Sequence, residues 1–155
     1  MRYLMLHDIR DIDKKYFPKR YNQPYFYTQR GFKDILQKFV PVSFDKSNPR
    51  GYIYTFDDGL LDHYKVAEIL FEMNIKAIFF VAPGLINFPV TVQEAEIFKR
   101  IFQSRRNSAF SPGSVRLMSW SELVELKTMG HTIGCHGMSH QRLSELDAND
   151  LHKEI

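Results

Sequence analysis

Two neighbouring carboxylates, Asp57 and Asp58, follow the run Tyr52-Ile53-Tyr54-Thr55-Phe56 and precede Gly59. Aromatic and β-branched residues favour an extended strand, and Asp-Asp-Gly stops it and turns the chain. Two acidic side chains at the end of a buried strand are costly unless a cation or a proton sits between them. In α/β proteins the carboxyl ends of strands are where chemistry collects. Far downstream, His136-Gly137-Met138-Ser139-His140 sets two imidazoles four residues apart. A carboxylate with two imidazoles suits a divalent metal of the zinc type, and three protein ligands leave a position open for water. Zn2+ is favoured by these donors, and Co2+, Ni2+ or Mn2+ would fit them too. The plainer alternatives are an acidic turn and a polar turn with hydrogen-bonded imidazoles.

Bringing such distant groups together requires strands that end on one side of a sheet. Residues 2–7, 52–56, 76–81 and 131–135 read as strands, the third almost unbroken Ala-Ile-Phe-Phe-Val, as expected where both faces are covered. Helical patterns lie between them. Thr28 can cap a helix carrying Phe32, Ile35, Leu36 and Phe39, which Pro41 ends. Leu60, Tyr64, Ala67 and Phe71 line one stripe of the next helix, with Val66, Leu70 and Met73 beside it. Thr91 with Glu94, and Ser119 with Glu122, read as capping boxes. The first opens a helix with Ala95, Phe98 and Phe102, and the second a helix with Leu123, Leu126 and Met129 that Gly130 closes. Asp147 can cap a last helix, in which Leu151 and Ile155 are four apart. Residues 9–28 read as an irregular excursion, 42–44 as a minor strand, and 45–50 and 103–115 as loops. Strand alternating with helix argues for parallel α/β units.

Bulk properties narrow the classes. The 155 residues suit one domain spanning positions 1–155, and 44% hydrophobic with 25% charged residues is a globular composition. The net charge of +3 is mild and its basic residues are scattered, so nucleic acid is not an expected partner. Cys135 is the only cysteine, which excludes an internal disulfide framework. Alternation aims it away from His136, as a small core residue. No apolar run approaches the ~20 residues of a membrane span. The N-terminus starts directly on a strand-like run without the regions of a signal peptide, so a cytoplasmic location is expected.

Thr55-Phe56-Asp57-Asp58-Gly59, joined to Ile133-Gly134-Cys135-His136 and the histidine pair, resembles the polysaccharide deacetylases, the nodulation-type deacetylase domain of carbohydrate esterase family four. Tyr3-Leu4-Met5-Leu6-His7 looks like that family's first strand. Leu117 to Trp120, continuing to Gly130-His131-Thr132-Ile133-Gly134, looks like its helix and strand leading into the histidine motif. The resemblance implies an α/β fold, a distorted (β/α) barrel of parallel strands. About four of its roughly seven strands are legible, so an incomplete, N-terminal portion is expected. Open strand edges and apolar faces would then favour a homo-oligomer or a missing C-terminal half. The resemblance also implies roles: Asp58, His136 and His140 as metal ligands and Asp57 as general base. The implied reaction removes acetyl groups from N-acetylated sugars of a polysaccharide or oligosaccharide substrate.

Some features depart from that pattern. The family's later Arg segment, its Asp-plus-Trp segment and its Leu-x-His with the general acid do not occur after His140. Gly137 stands where the family commonly has Ser or Thr, which implies weaker metal affinity. His7 ends its strand on the same side as Asp57 and is a candidate at the rim of the substrate site. Trp120 could stack on a sugar ring, against the alternative that it packs the helix start beside Met118, Phe110 and the Arg105-Arg106 loop. His131 reads as a surface histidine, and His63, Tyr64 and His152 as ordinary helix residues. The rival reading is a non-catalytic derivative that binds a carbohydrate or a partner protein. The intact Asp57 speaks against it, since a binder needs no base.

Overall fold

The computed structural model describes residues 2–9, 26–27, 29–43, 51–104 and 112–155. In chain order, β1 (Arg2–Leu6), β2 (Asp8–Ile9) and β3 (Phe26–Tyr27) precede α1 (Gln29–Lys38) and β4 (Tyr52–Phe56). Then come α2 (Asp62–Glu72), β5 (Ile78–Val81), α3 (Pro83–Ile86) and α4 (Val90–Glu96), with a π-helical turn over Ile97–Ile101. The chain continues with α5 (Trp120–Thr128), β6 (Thr132–Cys135), a 3-10 turn over Leu143–Glu145 and α6 (Ala148–Glu154). The main sheet has four parallel strands in the order β1-β4-β5-β6, the α/β architecture of an incomplete, distorted (β/α) barrel. β2 and β3 form a separate two-residue parallel pair that the sequence did not announce.

Alternation sorts the sheet's side chains. Leu6, Tyr54, Phe56, Phe79 and Val81 are buried, while Tyr3 and Met5 on the other face of β1 are 59% and 43% exposed. The core under the strands is aromatic: Phe56 and Phe79 stack at 4.8 Å, and Phe32 meets Tyr54 and Phe56 edge-on. α1 contributes Phe32 and Ile35 as its spacing predicts, and α5 contributes Leu123 and Leu126 behind an intact Ser119–Glu122 capping box. Asp147 caps α6 by accepting from the Asp150 amide at 2.9 Å. Thr28, Phe44 and the Arg105-Arg106 and Phe110 positions lie outside the described residues. Of the minor strand, Val42 and Ser43 carry no strand, and only Pro41 bridges to Tyr52.

Several expectations are corrected. The buried stripe of α2 is His63, Val66, Ala67 and Leu70, whereas Phe71 and Met73 face solvent. The pattern i, i+3, i+4, i+7 was there, with a histidine in its first place. Thr91 and Glu94 form no capping box, since α4 starts after Pro89; Glu94 instead accepts from the Gly113 amide at 3.2 Å. Ala95 is exposed, and Ile97, Phe98, Ile101 and Phe102 carry the core contacts. Cys135 is exposed rather than core, because β6 lies at an edge of the sheet.

His131 is the largest correction: it is buried, at 3% exposure. Its Nδ1 accepts from the Ala77 amide at 3.2 Å and its Nε2–H donates to the Ala67 carbonyl at 3.0 Å, tying α2 to the start of β5. Burial holds this imidazole below the ordinary histidine value, so it sits neutral in the core.

Candidate metal centre

The site sits on the turn that leaves β4. Asp58 and Gly59 both adopt left-handed backbone, at φ +80° and +71°. Asp tolerates this conformation better than most residues, and glycine adopts it freely. Gly59 is doubly required, since a Cβ there would lie 2.8 Å from Val81 Cγ1. The turn is pinned from its far side by residues 116–118: Leu61 donates to the Arg116 carbonyl and Met118 donates to the Gly59 carbonyl, each at 2.9 Å. Gly59→Ala should therefore destabilise the fold by about 2–4 kcal/mol, combining left-handed strain with overpacking. Urea unfolding measures it, and a loss below about 1 kcal/mol would show that the turn relaxes freely.

The in-register pairing of Leu6 with Phe56 makes His7 and Asp57 emerge side by side. The Asp57 amide donates to the Leu6 carbonyl at 3.0 Å, and His7 Nε2 lies 3.9 Å from Asp57 Oδ2. β6 delivers the histidine segment in the same way, with the His136 amide continuing the ladder to the Val81 carbonyl at 2.8 Å. His140 takes left-handed backbone at φ +56°, which turns its ring back over Asp58. Strained backbone that survives in a folded chain clusters at functional sites. Here two of the three proposed ligands carry it.

Asp58, His136 and His140 converge. His140 Nε2 is 3.1 Å and His136 Nε2 is 3.6 Å from Asp58 Oδ1, and one donor atom from each residue lies within 4.8 Å of the others. Tetrahedral zinc with bonds of about 2.0–2.1 Å sets its donors roughly 3.3 Å apart, which both Asp58–histidine separations match. Asp58 Oδ1 is buried and makes no aligned hydrogen bond, which is costly for a carboxylate oxygen and is relieved by a cation. Asp58, His136 and His140 thus form a buried-to-half-buried site able to hold a divalent metal. Among the described residues it is the only such cluster.

The electrostatics separate the two aspartates. Burial works to raise Asp58, but the His140 imidazole close beside it, with His7 and His136 farther off, outweighs it, so its carboxyl lies below the usual carboxylate range. Burial likewise pushes Asp57 up, and there it wins over the attraction of His136 and His7, with Asp58's charge adding to the rise. One carboxylate is held ionised and its neighbour has an enhanced proton affinity. That division suits one ligand and one proton acceptor.

Trp120 opens α5 and is 50% exposed, so it is not buried packing for the helix start; its indole N–H donates to Asn87 Oδ1 at 2.8 Å. His63, read from the sequence as an ordinary helix residue, has a larger part in the site. It is fully buried against the stacked Phe56 and Phe79 rings, and its Nε2–H donates to the His7 carbonyl, fixing the backbone beside Asp57. The only sequence signal for it was its place in the buried spacing of α2.

A parallel sheet carrying an Asp/His/His cluster at its carboxyl edge defines an α/β protein with a site able to hold a divalent metal. The Polysaccharide deacetylase family model matches residues 45–155, and the chain belongs to that family. Three solved structures share the fold. The Streptococcus pyogenes deacetylase PplD, in complex with acetate, superposes with a TM-score of 0.66 at 19% identity, covering 99% of this chain and 63% of that one. A de-N-acetylase from Aggregatibacter actinomycetemcomitans gives 0.57 at 17% identity, with coverages of 88% and 54%. A polysaccharide deacetylase from Bacillus cereus gives 0.64 at 15% identity, with coverages of 99% and 43%. The chain therefore spans less than two-thirds of the length of each. No curated protein sequence matches it. Among the described residues no helix is long and apolar enough to cross a membrane.

Proposed function

We propose that this chain is the metal-bearing, N-terminal portion of a deacetylase that hydrolyses the acetamide of N-acetylated sugars in a polysaccharide. The observation that carries the reading is the convergence of Asp58, His136 and His140 with Asp57 beside them, its proton affinity raised. A divalent ion, Zn2+ by donor type, would supply Lewis-acid polarisation of the acetyl carbonyl and a more acidic water. Asp58 and the two imidazoles hold that ion. Asp57 accepts the proton of the attacking water, and His7, 3.9 Å from its carboxylate, favours the ionised form from which it acts. Trp120 offers an exposed indole face to a sugar ring, with Asn87 fixing the ring's tilt. No described residue is assigned as the acid that protonates the leaving amine; in this reading it comes from sequence beyond this chain.

The test is acetate release from N-acetylglucosamine oligomers by the full-length protein. Release that a chelator abolishes and Zn2+ restores supports the proposal. Metal binding and oligosaccharide binding without acetate release would favour the carbohydrate-binding derivative. Trp120→Ala should raise KM several-fold while leaving kcat within about twofold, since it removes an apolar ring contact from the substrate and none from the reacting groups. Unchanged KM would remove Trp120 from the substrate path.

A further inference from the structure

α6 contributes no metal ligand, yet its last residue is bound into the histidine loop. Glu154 is 2% exposed. Its Oε1 accepts from the amides of Ser139 at 2.9 Å and Gln141 at 3.0 Å, and its Oε2 accepts from Ser139 Oγ at 2.8 Å. Its main-chain carbonyl accepts from the Met138 amide at 2.9 Å. The amides on either side of His140 thus share one carboxylate oxygen. Nothing in α6 itself asks for a buried carboxylate there, because an anion at a helix C-terminus opposes the helix dipole.

The loop needs it. A left-handed residue between two others turns their N–H groups toward a common point, the concavity that binds anions elsewhere. His140 is that residue, at φ +56°. An oxygen at the focus stabilises the disfavoured conformation, and the same conformation aims the imidazole at Asp58. Gly137 completes the arrangement: it too is left-handed, at φ +74°, and a Cβ there would stand 2.7 Å from Glu154 Oε1. Arg100 closes the other side. Its Nη1 donates to the Ser139 carbonyl and to Ser139 Oγ, both at 3.1 Å.

We propose that Glu154 is a positioning residue of the metal centre, holding His140 in its ligating conformation through the Ser139 and Gln141 amides. This rests on Asp58, His136 and His140 being the ligands. Glu154 acts by hydrogen-bond geometry, and its charge is not what draws the ion.

The experiment is calorimetric Zn2+ titration of the full-length protein and of three variants, with the visible spectrum of bound Co2+ recorded for each. Glu154→Ala should weaken Zn2+ binding about 10–100-fold, the usual range for losing an outer partner of a metal ligand, and should alter the Co2+ bands. Glu154→Gln keeps an acceptor oxygen for both amides and should recover affinity to within several-fold of the parent. Ser139→Ala, which removes one of the three carboxylate contacts, should weaken binding a few-fold and decides the matter if Glu154→Ala does not fold. Glu154→Ala or Ser139→Ala with parental affinity overturns the proposal. So does a folded Glu154→Gln as weak as Glu154→Ala, which would mean that charge, not geometry, matters. A parent that binds neither Zn2+ nor Co2+ overturns the ligand assignment itself, and the brace with it.

Discussion

Asp57→Asn should bind Zn2+ within about twofold of the parent and release acetate about 10²–10⁴ times more slowly, the usual contribution of a positioned general base. The carboxamide preserves the shape of the side chain, and the turn is held by backbone bonds that the substitution leaves alone: the Asp57 amide to Leu6 and the Met118 amide to Gly59. What disappears is a proton acceptor whose affinity burial has raised. Asp58→Ala should behave differently. It removes the buried oxygen on which His136 and His140 converge, at 3.6 and 3.1 Å, so metal affinity and rate should fall together. Calorimetry and an acetate assay on both variants separate the roles. If Asp57→Asn turned over at the parental rate, the assignment of the base would be lost; if Asp58→Ala still bound metal one-to-one, so would that of the ligand.

His131→Ala should cost about 3–5 kcal/mol of folding stability. The loss combines a hydrogen bond of about 1 kcal/mol, a buried amide left without a partner at about 1–3, and a cavity beside Phe79. The orphaned donor is the Ala77 amide, at the point where the chain enters β5. The ring also meets Phe79 edge-on, with centroids 5.2 Å apart. Against the usual 5–15 kcal/mol of a folded domain this is a large fraction. His131→Phe restores the volume but not the acceptor, so about half of the loss should remain. Urea unfolding of the three proteins measures both numbers, and a His131→Ala loss under 1 kcal/mol would mean that the imidazole bridge carries no stability.

The same ring predicts a pH dependence. His131 has a folded-state proton affinity below its ordinary one, so the unfolded chain binds more protons there and stability rises with pH. Above the ordinary histidine value near 6.5 the group contributes no slope. As pH falls below that value, stability declines until the lowered folded-state value is passed. His131→Phe should lack this component, so the stability gap between parent and variant should narrow on acidification. A constant gap from pH 7 to pH 5 would show that His131 is not held neutral.

Much of this was written locally. Short-range preferences sufficed for the four main strands, for α1 and for the capping box of α5, because side-chain alternation and capping act within a few residues. A candidate metal site could be read from Asp58, His136 and His140, because only certain donor types suit such an ion. Other points depended on distant packing. Whether His63 and His131 lay inside turned on partners offered by other elements, the His7 carbonyl for one and the Ala77 amide and Ala67 carbonyl for the other. A polar residue is buried when its hydrogen bonds are met, and no spacing rule shows that. Cys135 came out exposed because its strand forms an edge, a property of sheet order rather than of the strand. Thr91 and Glu94 matched a capping pattern, but Pro89 fixed the start of the helix and the Gly113 amide claimed the glutamate. Sequence determined which groups this protein could use for chemistry. Tertiary structure decided which aspartate is held ionised and which is raised, because desolvation and the placement of two histidines over one carboxylate exist only once the chain has closed around them.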